Sequence, residues 1–307
     1  MKIAVMGTGG VGGYFGARLA AKGVDVTFIA RGAHLQAIRA DGLRLESPNG
    51  NVHIHPAQAT DTPVDVGPVD YVLFTTKLWD TTNAAKTIRP MIGADTAVIS
   101  LQNGVSAGHV LGETLGRGHV MGGLALISSF IAAPGVIRHA GTMARVVFGE
   151  FDGTHTPRVQ ALLKAFNEAG VDADIADNIE RVIWQKFIFL VGLSGVTAVT
   201  RQSIGPLRED TDTRALLAQV MAETAAVARA KGIEIDPAFL DDRLVFMDTL
   251  PADMTSSMAH DLVQGNRLEL DWLSGAVARM GRELGVDTPA NAFIYTALKL
   301  SAAGSSS

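Results

Sequence analysis

The chain has 307 residues, of which 47% are hydrophobic and 19% charged, and a formal net charge of -5. This composition fits a folded protein with a sizeable core and room for two domains, and excludes a disordered chain. No basic block supports nucleic-acid binding. The absence of cysteine excludes disulfides, thiolate metal sites and cysteine nucleophiles.

The first predicted element is a buried strand at Ile3 to Met6, followed by the turn Gly7-x-Gly9-x-x-Gly12 and helical spacing from Tyr14 to Ala21. Strand, glycine turn and helix in that order form a dinucleotide-binding fingerprint. Gly7 makes the tight turn, Gly9 admits a pyrophosphate close to the backbone, and Gly12 lets helix and strand pack closely. The helix N-terminus offers free N–H groups and partial positive charge to phosphates, and Gly10 and Val11 within the turn are counted among the cofactor-binding residues.

The alternation continues. Asp25 to Ile29 reads as a strand, His34 to Asp41 as a short helix, and Leu43 to Glu46 with Val52 to His55 as strands around a Pro48-Asn49-Gly50 turn. Tyr71 to Phe74 and Ala97 to Ser100 are apolar strands flanking a helix from Thr81 to Arg89. Further strands fall within Gly118 to Ser129, Val136 to His139 and Arg145 to Phe148, before a helix from Pro157 to Ala169. The pattern predicts an α/β domain over residues 1–177, with a parallel sheet covered on both faces.

After Asn178 helices dominate, at Ile179 to Ser194, Thr211 to Lys231, Pro237 to Phe246 and Leu268 to Leu284. We expect an all-helical domain over 178–301 and a frayed tail over 302–307. Thr213 to Ala230 has helical apolar spacing with Arg214, Glu223 and Arg229 interspersed, an amphipathic pattern whose apolar face could serve a homodimer. The longest largely apolar run, Phe187 to Val199, is 13 residues and reads as a buried helix rather than a membrane span. With a strand beginning within two residues of the N-terminus, no signal peptide is expected, and the reading is a cytoplasmic protein without a membrane partner.

Where the second strand ends in Ile29-Ala30-Arg31 there is no carboxylate to accept from a ribose 2′-hydroxyl. Arg31 could instead pair with a 2′-phosphate, which favours NADP(H) as cofactor. Lys186 lies among apolar residues in Arg181-Val-Ile-Trp-Gln-Lys-Phe-Ile-Phe-Leu190, where desolvation should lower its pKa and suit acid–base work. The competing reading is a lysine snorkelling from a buried helix. His53 and His55 share a strand face, but with no third ligand nearby no metal is assigned. His139 reads as a fold residue and His260 as a helix-surface histidine.

Over nearly its whole length the chain resembles the ketopantoate reductase (2-dehydropantoate 2-reductase) family. The resemblance rests on Gly7-x-Gly9-x-x-Gly12, Arg31, Thr75-Thr-Lys77, Gln102-Asn-Gly104, Pro134-Gly-Val-Ile-Arg-His139 with Gly149-Glu150, Trp184-x-Lys186, and Ser256-Ser-Met258 leading to Glu269-x-Asp271. It implies a Rossmann domain followed by a helical domain, and NADPH-dependent reduction of a 2-oxo acid to a 2-hydroxy acid. Lys186 would be the general acid and stabilise the developing alkoxide, while Glu269 would orient Lys186 or a substrate group. Asn103 would sit between nicotinamide and substrate, Lys77 near the cofactor, and Ser257 on the substrate carboxylate. An ionised Glu269 near Lys186 would raise the lysine pKa against the effect of burial.

The resemblance also has departures. Members that reduce ketopantoate carry asparagines four, eight and eighteen residues after the catalytic lysine, where this chain has Leu190, Ser194 and Ile204. Replacing amides by one hydroxyl and two aliphatic groups suggests a more apolar 2-oxo acid as substrate. A third reading is a non-catalytic NADP-binding sensor, against which intact Lys186, Ser257 and Glu269 argue.

Overall fold

The computed structural model describes residues 1–304 and divides into two compact units, Met1–Ile179 and Glu180 onward. Positions 305–307 of the expected tail lie outside the described residues. Within 302–304 the chain is tied down, because Leu268 N–H donates to Ala302 O at 2.9 Å and Gly304 N–H to Ser301 O at 3.1 Å.

The N-terminal unit opens with β1 (Lys2–Met6), α1 (Gly10–Ala20), β2 (Asp25–Ile29), α2 (Gly32–Asp41), β3 (Leu43–Glu46), β4 (Val52–Ile54) and β5 (Gln58–Thr60). It continues with β6 (Val69–Phe74), α3 (Thr81–Thr87), β7 (Ile92–Ser100), α4 (Ala107–Leu115), β8 (Val120–Ala133), β9 (Val136–Gly149), α5 (Pro157–Glu168) and β10 (Asp172–Ile175). The strands join in the order β4-β3-β9-β8-β7-β6-β1-β2-β5, with β10 on β9. From β5 to β8 the pairs are parallel. β1 is central there, with the chain continuing to β2 on one side and later returning to β6 on the other. The glycine turn therefore leaves the carboxyl end of β1 at a topological switch point, where open α/β sheets bind ligands.

β1 is apolar throughout because both its faces are buried. Ile3 and Val5 join one core cluster with Phe15, Phe28 and Phe166, whereas Ala4 and Met6 join another with Phe74, Ala84 and Leu111. The sheet is mixed, which corrects the expectation of a parallel one. β8 and β9 pair antiparallel, and so do β3 and β4, the latter as a hairpin around the expected Pro48-Asn49-Gly50 turn. The two strands expected at Val136 to His139 and Arg145 to Phe148 are one strand, β9. Its pairing with β8 shifts register beyond Ile127, near Gly141 at φ 73°. β5 and β10 were not expected; each is short and pairs at the side of a longer strand.

The C-terminal unit has α6 (Ile179–Thr200, beginning at the last residue of the first unit), α7 (Ile204–Glu209), α8 (Thr211–Ala230), α9 (Phe239–Asp248), α10 (Ser257–Val263), α11 (Ser274–Leu284) and α12 (Pro289–Leu298). It has no strand among the described residues. By length and composition the 22-residue α6 could cross a membrane, at mean hydropathy 1.7, but 61% of its apolar window is buried inside the protein. That is the behaviour of a core helix.

The helix expected from Leu268 to Leu284 is broken. Leu270–Trp272 form a 3₁₀ turn, and Leu273 (φ -103°, ψ -108°) separates it from α11. Glu223 of α8 does not face solvent as the amphipathic pattern implied. It is buried, and its carboxylate accepts from Ala290 N–H at 2.9 Å, Asn291 N–H at 3.0 Å and Asn291 Nδ2 at 2.9 Å, capping the start of α12.

Candidate functional site

In the N-terminal unit the glycine turn is held by its neighbours. Thr8 Oγ1 donates to Ile29 O at 3.0 Å, and Thr75 Oγ1 donates to Gly7 O at 2.7 Å. Gly7 adopts φ 98°, and a Cβ there would lie 2.9 Å from Thr76 N, so both conformation and space require glycine. A Cβ on Gly12 would meet Val5 Cγ1 at 2.8 Å, and one on Gly10 would strike the backbone of Ser129 and Phe130. Both positions let α1 approach the sheet closely.

Gly9 differs. Its φ of -86° is ordinary, and a Cβ there would meet nothing within 4 Å. Its bare backbone therefore faces open space at the N-terminus of α1, next to Val11 in the first turn. The fold does not use this vacancy, and a pyrophosphate could approach through it, so the turn fits a dinucleotide.

The surrounding residues are arranged at the carboxyl ends of the central strands. Arg31 caps α2 just beyond β2, is 67% exposed, and lies 3.4 Å from Asp80 Oδ2. Lys77 is exposed beyond β6, with its ammonium 5.6 Å from the Trp79 ring centre. Gln102 Nε2 donates to Thr76 O at 2.8 Å and to Thr81 Oγ1 at 2.9 Å, tying the end of β7 to that of β6. Asn103 follows in the connection to α4, half-buried. His139 is a fold residue, its ring nitrogens 2.9 Å from Ser47 Oγ and 2.9 Å from Met143 O. His53 Nε2 is 2.7 Å from Asp41 O.

In the C-terminal unit the structure brings Lys186 and Glu269 together. Lys186 is in the second turn of α6, and Glu269 is 8% exposed at the start of the 3₁₀ turn before α11. Burial pulls the Lys186 pKa from 10.5 down to about 8, and the Glu269 charge opposes that pull. A lysine with a pKa of about 8 still carries its proton at neutral pH but releases it far more readily than an exposed one.

The other positions in this unit separate into those the fold uses and those it leaves open. Ser256 Oγ accepts from Ala259 N–H at 3.0 Å, capping α10, and is 2.8 Å from Thr197 Oγ1. Ser257, the next residue, is exposed. Leu190 is half-buried one turn after Lys186. Ser194 is 1% exposed, and its Oγ has no hydrogen-bond partner. Ile204 is 0% exposed, with its N–H donating to Met254 O at 2.9 Å, so its side chain belongs to the core rather than to any open surface. Sequence reasoning passed over Phe189 and Phe246, whose rings meet edge-on at 5.5 Å three residues beyond Lys186. The contact joins residues 57 positions apart and leaves no local signal.

Known proteins resemble the chain over nearly its whole length. The family model described as ketopantoate reductase PanE/ApbA matches residues 3–153, and its C-terminal counterpart matches residues 178–302. The chain is 32% identical over 310 residues to a 2-dehydropantoate 2-reductase of Mesorhizobium japonicum, covering 94% of each protein. It is 31% identical over 300 residues to the uncharacterized oxidoreductase YkpB of Bacillus subtilis, covering 98% of each. Among solved structures, a PanE/ApbA family ketopantoate reductase from Ralstonia eutropha superposes with TM-score 0.90 at 34% identity, covering 98% of each chain. A 2-dehydropantoate 2-reductase from Geobacter metallireducens gives TM-score 0.91 at 30% identity, covering 98% of this chain and 99% of that one. The chain belongs to the ketopantoate reductase PanE/ApbA family, a family of oxidoreductases acting on CH–OH groups.

Proposed function

We propose that the protein is an NADPH-dependent reductase of a 2-oxo acid, with Lys186 as the general acid. The observation that carries this reading is the Lys186–Glu269 pair, with the lysine pKa brought to about 8 inside the helical unit. When bound, the reduced nicotinamide supplies the hydride. Lys186 Nζ donates the proton to the ketone oxygen, and its charge stabilises the alkoxide as it develops. Glu269 keeps part of the lysine population protonated that burial alone would discharge. In this account the glycine turn and α1 hold the pyrophosphate, Arg31 and Lys77 supply positive charge to the rest of the dinucleotide, and Asn103 and Ser257 orient substrate. Arg31 supports NADPH over NADH by its place at the end of β2 and its exposure, although Asp80 competes for its charge.

Ketopantoate is the substrate class that the family suggests. A second reading, a more apolar 2-oxo acid, is favoured by the half-buried Leu190 one turn from Lys186, where an amide would stand in the ketopantoate enzymes. We place the protein in the cytoplasm, acting on a small molecule, with part of the α8 face as a candidate homodimer surface.

The test is NADPH oxidation over ketopantoate and a panel of branched-chain and aryl 2-oxo acids. Reduction of at least one is expected. Ketopantoate turned over far faster than the others would remove the second reading. NADPH binding with no substrate reduced would favour a sensor.

A further inference from the structure

Arg243 lies in the middle of α9, on a face that is not the solvated one. Its neighbours one turn away are Phe239 and Leu240 before it, and Phe246 and Met247 after it. The guanidinium is 5.3 Å from the Phe239 ring centre and 5.2 Å from that of Phe246, so two aromatic rings flank it. Its Nε is buried and has no hydrogen-bond partner, and among the described residues no carboxylate pairs with it. The acidic residues of α9 do not meet this need. Asp248 is taken by Arg214 at 2.6 and 2.9 Å, while Asp241 and Asp242 are exposed two and one positions before Arg243, spacings that do not face it.

A partly buried cation on an apolar helix face, without a counter-charge, calls for an anion from outside the unit's own side chains. Rings on both sides displace water from the guanidinium, which strengthens its charge-assisted, bidentate recognition of a carboxylate. The location connects to the proposed acid. Phe246 packs edge-on against Phe189 with ring centres 5.5 Å apart, and Phe189 is three residues, one helical turn, from Lys186. The Phe246 ring thus touches both the Arg243 guanidinium and the Phe189 ring, which lies on the helix that carries Lys186.

We propose that Arg243 is an anion-binding residue that receives a carboxylate of the 2-oxo acid. The inference rests on the reductase reading above. The carboxylate has two sources. It is either the C1 group that every 2-oxo acid carries, or a distal group that only 2-oxo dicarboxylic acids carry.

The experiment compares wild type, Arg243→Gln, Arg243→Lys and Arg243→Ala in the full chain, using 2-oxo-3-methylbutanoate, phenylglyoxylate and 2-oxoglutarate. NADPH oxidation gives KM and kcat, and calorimetric titration into the NADP-loaded protein gives direct affinity. Loss of a charge-assisted pair should raise KM and Kd about tenfold or more, with kcat changed much less. Arg243→Lys should recover part of the loss, and added ethylguanidinium should restore affinity in Arg243→Ala. A merely structural arginine would show neither. A rise for every compound assigns the C1 carboxylate, and a rise for 2-oxoglutarate alone assigns a distal one. If wild type binds these acids but reduces none, the reductase reading fails and the titrations still decide the anion site. Equal affinities in wild type and Arg243→Gln overturn the proposal, as does a wild type that binds none of the three.

Discussion

Glu269 and Lys186 influence each other across the interior of the helical unit. Burial drives the ammonium toward its neutral form, and the nearby carboxylate holds it back, leaving a pKa of about 8 where an exposed lysine has 10.5. In the proposed reaction this balance would let Lys186 hold a proton at physiological pH and release it to the substrate oxygen.

The balance predicts a pH profile. A general acid works in its protonated form, so kcat/KM for reduction should be level below about pH 7 and fall as pH rises through about 8. The reverse oxidation should rise over the same range. Glu269→Gln removes the effect that raises the lysine pKa, so the descending limb should move to lower pH. Steady-state kinetics from pH 5.5 to 10 check this, and an unmoved limb would detach Glu269 from the lysine.

The glycine turn predicts two separable losses. At Gly9 a Cβ meets no protein atom and the backbone is ordinary. Gly9→Ala should keep the melting temperature yet lower dinucleotide affinity about tenfold or more. At Gly12 a Cβ would press on Val5 and the Gly7 backbone, so Gly12→Ala should lose on the order of 2 kcal/mol of stability. Thermal unfolding beside dinucleotide titration separates the two effects.

Arg31→Asp should invert the cofactor preference, weakening NADPH relative to NADH, because an exposed cation beyond β2 becomes an anion. Asp80→Asn should act in the opposite direction by freeing the Arg31 charge. Relative kcat/KM for the two cofactors is the readout, and an unchanged ratio in Arg31→Asp would remove Arg31 from the site.

Glu223 is predicted to matter for stability alone. Glu223→Ala leaves two backbone N–H groups and one amide without their acceptor in a buried setting, which should cost about 3 kcal/mol. Chemical denaturation measures the loss.

Much of the fold is legible in local patterns. β1, β2 and α5 could be read because apolar runs, glycines and Pro157 mark them within a few residues. What escaped depends on distant partners. The middle of β9, Gly141 to Met143, is exposed and outside the register with β8, so the sequence looks interrupted there; only the pairing of Ala140 with Ser128 and of Ala144 with Ile127 joins the two halves into one strand. Apolar spacing runs unchanged from Leu268 through the 3₁₀ turn, so periodicity cannot show the break at Leu273. In the site, Lys186 and Glu269 were readable through family resemblance, and the apolar setting of Lys186 through its neighbours. The burial of Ile204, the capping role of Glu223 and the aromatic setting of Arg243 come from contacts that no local window contains.

The central claim is that Lys186 delivers the proton in 2-oxo acid reduction. Its most direct test is single-turnover NADPH oxidation by Lys186→Ala at pH 7, with the best substrate of the panel and NADPH binding measured in parallel. We predict intact NADPH binding and a rate lower by about a hundredfold or more. Turnover as fast as wild type would contradict the account.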